Sequence, residues 1–397
     1  MKIALFTETY TPCINGVVTH ISILKKGLEE LGHEVLVVTA DTETKRYYIE
    51  NGIMHCPAKG IKKLYGYGLA APYSSKRLQL LKEFSPDVIH VHQEFGVGLS
   101  GFFFAKILKV PLIYTLHTMY DEYVFYVAPK SLVKITKKML HLYAKKLAES
   151  ADILVGPSAK VEEFFRSCGV TKKVELVPNT ADLDSFKLNI LSSEDKLSLK
   201  EKLSIPSGHT IGCFIGRLGK EKSVDILLSN FSKTLKGEPV SLIIIGSGPE
   251  EEALRCQAEE LGLSEQVKFM GAVDHSEVPK YYDISDFFIT ASVTEMHSIS
   301  MLEALSSGLI IIQRYDELNA SQIEEGVNGY TFTTETDMKE KIMAIHGLTS
   351  DEKTELKKTV RATVEKSGAK ELAEYLLKFY EQKKEENDER KRNELKR

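Results

Sequence analysis

Apolar positions along the 397-residue chain cluster into short, nearly unbroken runs separated by amphipathic segments. The first run is KIALFTE. After it come the loop TYTPCINGVV with an Asn15-Gly16 turn, the helical pattern VTHISILKKGLEELG and the strand EVLVVTA. Strand, glycine turn, helix and strand form the opening of a nucleotide-binding α/β fold. Further runs lie at 87–92 (DVIHVH), 111–117 (PLIYTLH), 152–158 (DILVGPS) and 174–179 (VELVPN), with helical segments between them. Continuous hydrophobicity marks strands covered on both faces. The N-terminal half is therefore predicted to be a parallel sheet with helices on each side.

Residues 180–205 lack such runs and are rich in Asp, Ser and Lys, which places a domain junction around 190. The pattern restarts at 210–216 (TIGCFIG) and continues through SLIIIGSGPEEEAL, where acidic residues open a helix after a Gly-Ser-Gly-Pro turn. QVKFMGAV is another strand, and VNGYTF (327–332) is a turn and a short one. Between them, DFFITASVTEMHSISMLEALSSGLIIIQ (286–313) reads as one β-α-β unit, its helix closed by Gly308. The chain ends in KKEENDERKRNELKR, a solvated charged helix. The expected domains are 1–190 and 191–375, with 376–397 a charged helix for which packing back on the N-terminal domain is one arrangement.

Composition narrows the class. A chain this long, 43% hydrophobic and 27% charged, fits a soluble globular protein of two domains. A net charge of -4 and a pI near 6.3 argue against a general nucleic-acid binder. The five cysteines are scattered with no C-x-x-C, as expected for reduced intracellular thiols and not for a zinc site. Glu8 interrupts the N-terminal run where a signal peptide would be apolar. Lys106 breaks the longest apolar stretch short of a membrane span. A soluble or peripheral protein is expected.

In doubly wound sheets, ligands bind beyond the carboxyl ends of the strands, where helix N-termini offer amides to anions. Glu295 falls on that rim, and Glu303 lies one turn into the following helix. Ser300-Met-Leu-Glu303 also fits a capping box, and taken alone that is the better reading. Arg217 and Lys222, in RLGKEK, directly follow a buried strand; their alternative is a solvated turn. Gly16 either lets backbone approach a ligand or simply makes its turn. His92 and His117 stand at strand ends, usually a structural place. His117 differs because the segment after it, TMYDEYVFYVAPK, is aromatic and apolar where a loop should be polar. The next helix sets Lys130, Lys134, Lys137, Lys138, Lys145 and Lys146 against Glu149 alone, with a stripe of Leu132, Ile135, Met139, Leu142 and Leu147. Either that stripe packs on the sheet, or the helix settles on anionic lipid together with Tyr123, Val124, Phe125, Tyr126 and Val127.

The N-terminal glycine loop, TLHT around His117, PNTADLDSF, GRLGKEKSVDILL, IIGSGPEEEAL, VKFMGAV and TEMHSISMLEALSSGL together resemble the retaining GT-B glycosyltransferases of family 4. HVHQEFGVG and LHTMYDEYVFYV are most similar to the bacterial members that glucosylate diacylglycerol. The resemblance implies an α/β GT-B fold, two Rossmann-like parallel-sheet domains facing across a cleft. It implies transfer of a hexose, glucose from UDP-glucose, with retention onto 1,2-diacylglycerol at the cytoplasmic face of the membrane. It assigns the donor diphosphate to Arg217 and Lys222 in place of a metal, so neither metal nor cofactor is expected. Glu303 would take ribose hydroxyls, and Glu295 and His117 the transferred sugar. Asn15 and Gly16 would approach the phosphate or the acceptor. Val273, Ser298, Ile299 and Ser300 would complete substrate binding. The chain departs from the family at Met296-His297-Ser298-Ile299, where a glycine is usual, and at Asn15-Gly16, where many members have two. A soluble or cell-wall saccharide acceptor, and a non-catalytic sugar-nucleotide-binding subunit, remain as alternative readings.

Overall fold

The computed structural model describes residues 1–13, 15–60, 68–118, 121, 124 and 130–396, without the side chains of 130 and 319–321. It divides into two compact units, Met1–Thr180 with Ala369–Arg397, and Ala181–Gly368.

The strands of the first unit are β1 (Lys2–Thr7), β2 (Glu34–Asp41), β3 (Tyr48–Glu50), β4 (Ile53–Gly60), β5 (Gly68–Ala70), β6 (Val88–Val91), β7 (Leu112–Thr115), β8 (Ile153–Gly156) and β9 (Val174–Leu176). Their order is β3-β4-β2-β1-β6-β7-β8-β9, with β5 beside β4. The sheet departs from the expected all-parallel form at one edge, where β3 and β5 both run antiparallel to β4. Continuous hydrophobicity could not reveal these strands. Every residue of β3 is exposed, and β4 buries only Met54 and Cys56, so neither is covered on two faces.

One face of this sheet packs Ile3, Leu5, Val35, Val37 and Ile113 against the helix Gly16–Glu30 and the helix Ala369–Leu395, whose Leu372, Leu376 and Tyr380 complete the core. The two helices touch closely: a Cβ on Gly27 would stand 2.0 Å from the carbonyl oxygen of Ala369, so only glycine fits there. The C-terminal helix thus starts at Ala369 and its first turns are core, leaving only its later part solvated.

The second unit holds β10 (Thr210–Ile215), β11 (Val240–Ile245), β12 (Val267–Gly271), β13 (Phe287–Thr290), β14 (Ile310–Arg314) and β15 (Gly329–Phe332), all parallel, in the order β12-β11-β10-β13-β14-β15. Its boundary at Ala181 precedes the junction placed near 190, because Ala181 and Phe186 already pack in the second core. Arg361 fixes that entry by donating to the carbonyl oxygen of Phe186 at 2.6 Å. Gly308 follows the helix Ile299–Ser306 with φ of +76°, the left-handed stop that its position in the sequence predicts.

Each sheet reverses direction once. The reversal falls between β1 and β6 in the first unit and between β10 and β13 in the second. Loops leaving the carboxyl ends of such a pair diverge and open the crevice where doubly wound folds bind ligands.

Candidate functional site

The second unit brings most of its sequence-predicted residues to its own reversal point. Arg217 leaves the end of β10 on a loop that continues to Lys222, and Glu295 lies on the loop that follows β13. Lys222 Nζ lies 2.6 Å from Glu295 Oε1, with both side chains largely buried. Arg217 pairs with Glu221, which the sequence reading passed over as part of a Lys-rich turn. Glu221 is in fact buried, and its carbonyl oxygen accepts from Ser292 Oγ at 3.1 Å and Thr294 Oγ1 at 2.9 Å. Those two bonds staple the β13 loop to the β10 loop. The turn after β11 braces the other side: Leu218 N–H donates to Ser247 at 2.9 Å, and a Cβ on Gly248 would stand 2.3 Å from Leu218 O. The arrangement is two cations, each held by a carboxylate on a braced loop. An incoming diphosphate could draw both cations at little cost in rearrangement.

The structure excludes one of the two readings of Glu303. The N-cap of its helix is Ser298, whose hydroxyl accepts from Met301 N–H at 3.4 Å. A capping box from Ser300 is therefore not what forms. Glu303, buried, instead accepts from His275 Nε2 at 2.9 Å, and this bond raises the His275 pKa. Ser300 Oγ lies 3.1 Å from Ser298 Oγ, and its carbonyl accepts from Tyr282. Gln322 clasps Ser298 from both sides, accepting from its N–H at 3.0 Å and donating to its carbonyl at 2.8 Å. Ile299 opens the helix, and Val273 packs against the core. Burial holds the neighbouring His297 down at about 4.

In the first unit, Asn15 caps the helix that begins at Gly16: its side chain accepts from Val18 N–H at 3.0 Å and donates to Thr9 at 3.2 Å. His117 lies just past β7, in a cluster of imidazoles that the sequence did not foretell. His92 Nδ1 is 3.1 Å from His117 Nε2, and the His20 ring meets His117 edge-on at 4.8 Å between centroids. Burial pushes His20 down to about 4 and holds His90, His92 and His117 well below their ordinary range, so all four are neutral at pH 7. Donor atoms of His20, His92 and His117 lie within 4.8 Å of one another, close enough to invite a metal ion. A ligating imidazole, however, hands its second nitrogen to a carboxylate or carbonyl. His92 Nε2 is buried with no such partner among the described residues.

The same unit holds two buried carboxyls. Glu8, just past β1, accepts from Gly98 N–H at 2.8 Å, and burial pushes it up to about 8. Glu94, past β6, is raised by burial and then by Glu8.

The lysine-bearing helix spans Val133–Ser150, and only Ala144, Leu147 and Ala148 are buried in it. Lys172 caps its end, donating to the carbonyls of Ala148 at 3.2 Å and Glu149 at 3.3 Å. Leu132, Ile135, Met139 and Leu142 are exposed, so of the stripe only Leu147 packs inward. They share the outer face with exposed Lys134, Lys138 and Lys146, while Lys137 and Lys145 are half-buried beside Asp121 and Glu149. The Lys130 side chain and the loop residues Tyr123, Phe125, Tyr126 and Val127 lie outside the described residues, and Val124 is buried.

Two doubly wound units, each with charged or hydrogen-bonding groups at a reversal point, fit the GT-B class of glycosyltransferases. Family models match both: "Glycosyltransferase Family 4" over residues 14–185 and "Glycosyl transferases group 1" over 195–363. The chain is 32% identical over 355 residues to an alpha-monoglucosyldiacylglycerol synthase of Acholeplasma laidlawii, covering 87% of this chain and 88% of that one. To a synthase of the same name from Streptococcus pneumoniae it is 31% identical over 339 residues, covering 85% and 76%. Among solved structures, Anabaena Alr3699/HepE in complex with UDP and glucose shares the fold with a TM-score of 0.74 at 18% identity, over 96% of this chain and all 100% of that one. The chain belongs to the group 1, family 4 glycosyltransferases and is a hexosyltransferase. Among the described residues no helix is long and apolar enough to cross a membrane.

Proposed function

We propose that this enzyme transfers glucose from UDP-glucose, with retention, to the free hydroxyl of 1,2-diacylglycerol at an anionic membrane surface on the cytoplasmic side. The observation that carries the lipid acceptor is the outer face of the Val133–Ser150 helix. There Ile135 is 60% exposed and Met139 and Leu142 are each 68% exposed, between lysines. A soluble-saccharide enzyme gains nothing from three bare aliphatic side chains in water; an interfacial one uses them to enter the headgroup layer. The similarity to two monoglucosyldiacylglycerol synthases supports the same acceptor.

In this reading Arg217 and Lys222 exchange their carboxylates for the diphosphate of the donor and stabilise the charge it gains as the glycosidic bond breaks. Fixed cations then do the work of a metal ion, and EDTA leaves the rate unchanged. Glu303, oriented by His275, takes the ribose hydroxyls. Glu295 and His117 contact the sugar, Asn15 and Gly16 shape the first-unit loop, and Val273, Ser298, Ile299 and Ser300 border the nucleotide.

The test is incubation of the purified chain with labelled UDP-glucose and vesicles of phosphatidylglycerol containing diacylglycerol. The expected product is a monoglucosyl lipid whose anomeric proton coupling shows the α configuration of the donor. Transfer to soluble saccharides alone, with the lipid untouched, overturns the proposal.

A further inference from the structure

Four histidines from three separate segments meet in the first unit, and the way their nitrogens are satisfied is informative. His90 is fully paired, with Nδ1 2.6 Å from Tyr380 Oη and Nε2 2.7 Å from Thr115 Oγ1. Its ring lies against His92, 4.0 Å between centroids. His92 Nδ1 meets His117 Nε2 at 3.1 Å, while His92 Nε2 is buried with no partner among the described residues. His117 is half-buried, and the hydrogen bond its ring makes through Nε2 is the one to His92. The Asn179 side chain is the polar neighbour of His20, but neither ring nitrogen of His20 makes a full hydrogen bond.

We propose that His92 fixes the tautomer of His117, donating its Nδ1–H to His117 Nε2, so that His117 carries its own proton on Nδ1 and offers it to a sugar oxygen. The argument is one of elimination between two proton placements. In the alternative, His117 donates from Nε2 to His92 Nδ1, and the proton of neutral His92 must then sit on Nε2. That atom would be a buried N–H with no acceptor, the arrangement folded proteins avoid most strictly. A buried lone pair without a donor is the cheaper orphan, because it forgoes a bond without stranding a proton. A doubly protonated ring, which would donate from both nitrogens, is excluded by the burial that keeps all four imidazoles neutral. The rings are also held in place: His90 covers one side of His92, and His20 meets His117 edge-on. His92 is thus a positioning residue for His117, as a second partner sets which imidazole nitrogen faces a ligand in other histidine sites. The chemical consequence is that His117 acts on the sugar as a neutral donor and not as a base. This rests on the reading of His117 as a sugar contact.

The experiment is ¹⁵N-histidine NMR of the full chain at pH 7, in which two-bond couplings report the protonated nitrogen of each ring. Wild-type His117 is expected in the Nδ1–H form. In His92→Leu that preference is lost, and kcat for glucosyl transfer falls about tenfold, as for loss of a hydrogen bond made in the transition state, while the donor KM changes little. His92→Asn, whose amide N–H stands near the place of Nδ1–H, restores both the tautomer and most of kcat. A wild-type His117 protonated on Nε2 overturns the inference whatever the activity. A His117 locked in the Nδ1–H form, in a protein that transfers no sugar, leaves the tautomer assignment standing and sinks the functional reading instead.

Discussion

Lys222 and Glu295 are 73 positions apart in sequence, and their side chains meet at 2.6 Å across the reversal point of the second sheet. The loop after β10 supplies the cation and the loop after β13 the carboxylate. With both groups mostly shielded from water, the pair is stronger than an exposed one, yet it can be exchanged for a better anion. A diphosphate carries more charge than a carboxylate. Under the proposed function, its arrival moves Lys222 onto the leaving group and frees Glu295 to face the sugar.

Removing either cation is therefore expected to cost turnover. Lys222→Ala and Arg217→Ala should each lower kcat by on the order of a hundredfold or more, the usual loss for one preorganised contact to developing charge. Circular dichroism should show both variants folded. Wild-type turnover in either one would remove that residue from the diphosphate site.

The two glutamates should separate by kinetic parameter. Glu303→Gln is expected to weaken UDP binding by about ten- to a hundredfold in calorimetry, because a ribose hydrogen bond to a charged group is made equally in ground and transition states. Glu295→Gln should leave UDP affinity intact or improved, since Lys222 loses its competitor, while kcat falls. UDP affinity unmoved by Glu303→Gln would reduce that carboxylate to a structural partner of His275.

Much of this was legible in the sequence because parallel strands are coded by unbroken apolar runs. The unit at 286–313 could be read strand by strand, down to Gly308 at φ of +76°. Strands β3 to β5 were not legible, since strands at that margin of the sheet bury little and leave no such run. The cations were named from the resemblance, and the place of Arg217 directly after a buried strand weighed against a merely solvated turn. Glu221 was missed because, between two lysines, it looks like any solvated turn; it is buried, and its carbonyl accepts from Ser292 and Thr294, which arrive on the loop after another strand. The imidazole cluster was illegible for the same reason: His20, His92 and His117 come from a helix and two strand ends whose neighbourhood only the sheet order establishes. The stripe on the Val133–Ser150 helix was visible, but spacing alone does not say whether a stripe faces a core or the solvent.

Glu8 gives the fold a dependence on pH. Its pKa is raised from 4.5 to about 8, so the folded chain holds this proton through a window in which the unfolded chain has lost it. The folded state binds more protons there, and stability must fall as pH rises from about 4.5 toward 8. Glu8→Gln keeps an oxygen for the Gly98 N–H and removes the titration. It should stabilise the protein at pH 8 by on the order of a few kcal/mol and little at pH 4.5. Urea unfolding at both pH values checks this. Glu94, raised in the same sense, leaves some slope in the variant, but equal slopes in the two proteins would mean that Glu8 is ionised in the fold.

The last expectation concerns the membrane, and it separates charge from apolar contact on one helix face. Each lysine near an anionic surface contributes about 1 kcal/mol, so Lys134, Lys138 and Lys146 together are worth about a hundredfold in vesicle affinity. Changing all three to Glu should abolish flotation with phosphatidylglycerol vesicles, and wild-type flotation should weaken as salt is raised, because this attraction is screened. Changing Ile135, Met139 and Leu142 to Ser removes the groups that enter the headgroup layer and leaves the charge untouched. That variant should still float at low salt but release at a lower salt concentration than wild type. Neither set touches a core residue, since all six side chains are exposed, so melting should be unchanged in both. Wild-type protein that stays in the soluble fraction at low salt would end the membrane reading of this face, and the acceptor would then have to be a soluble one.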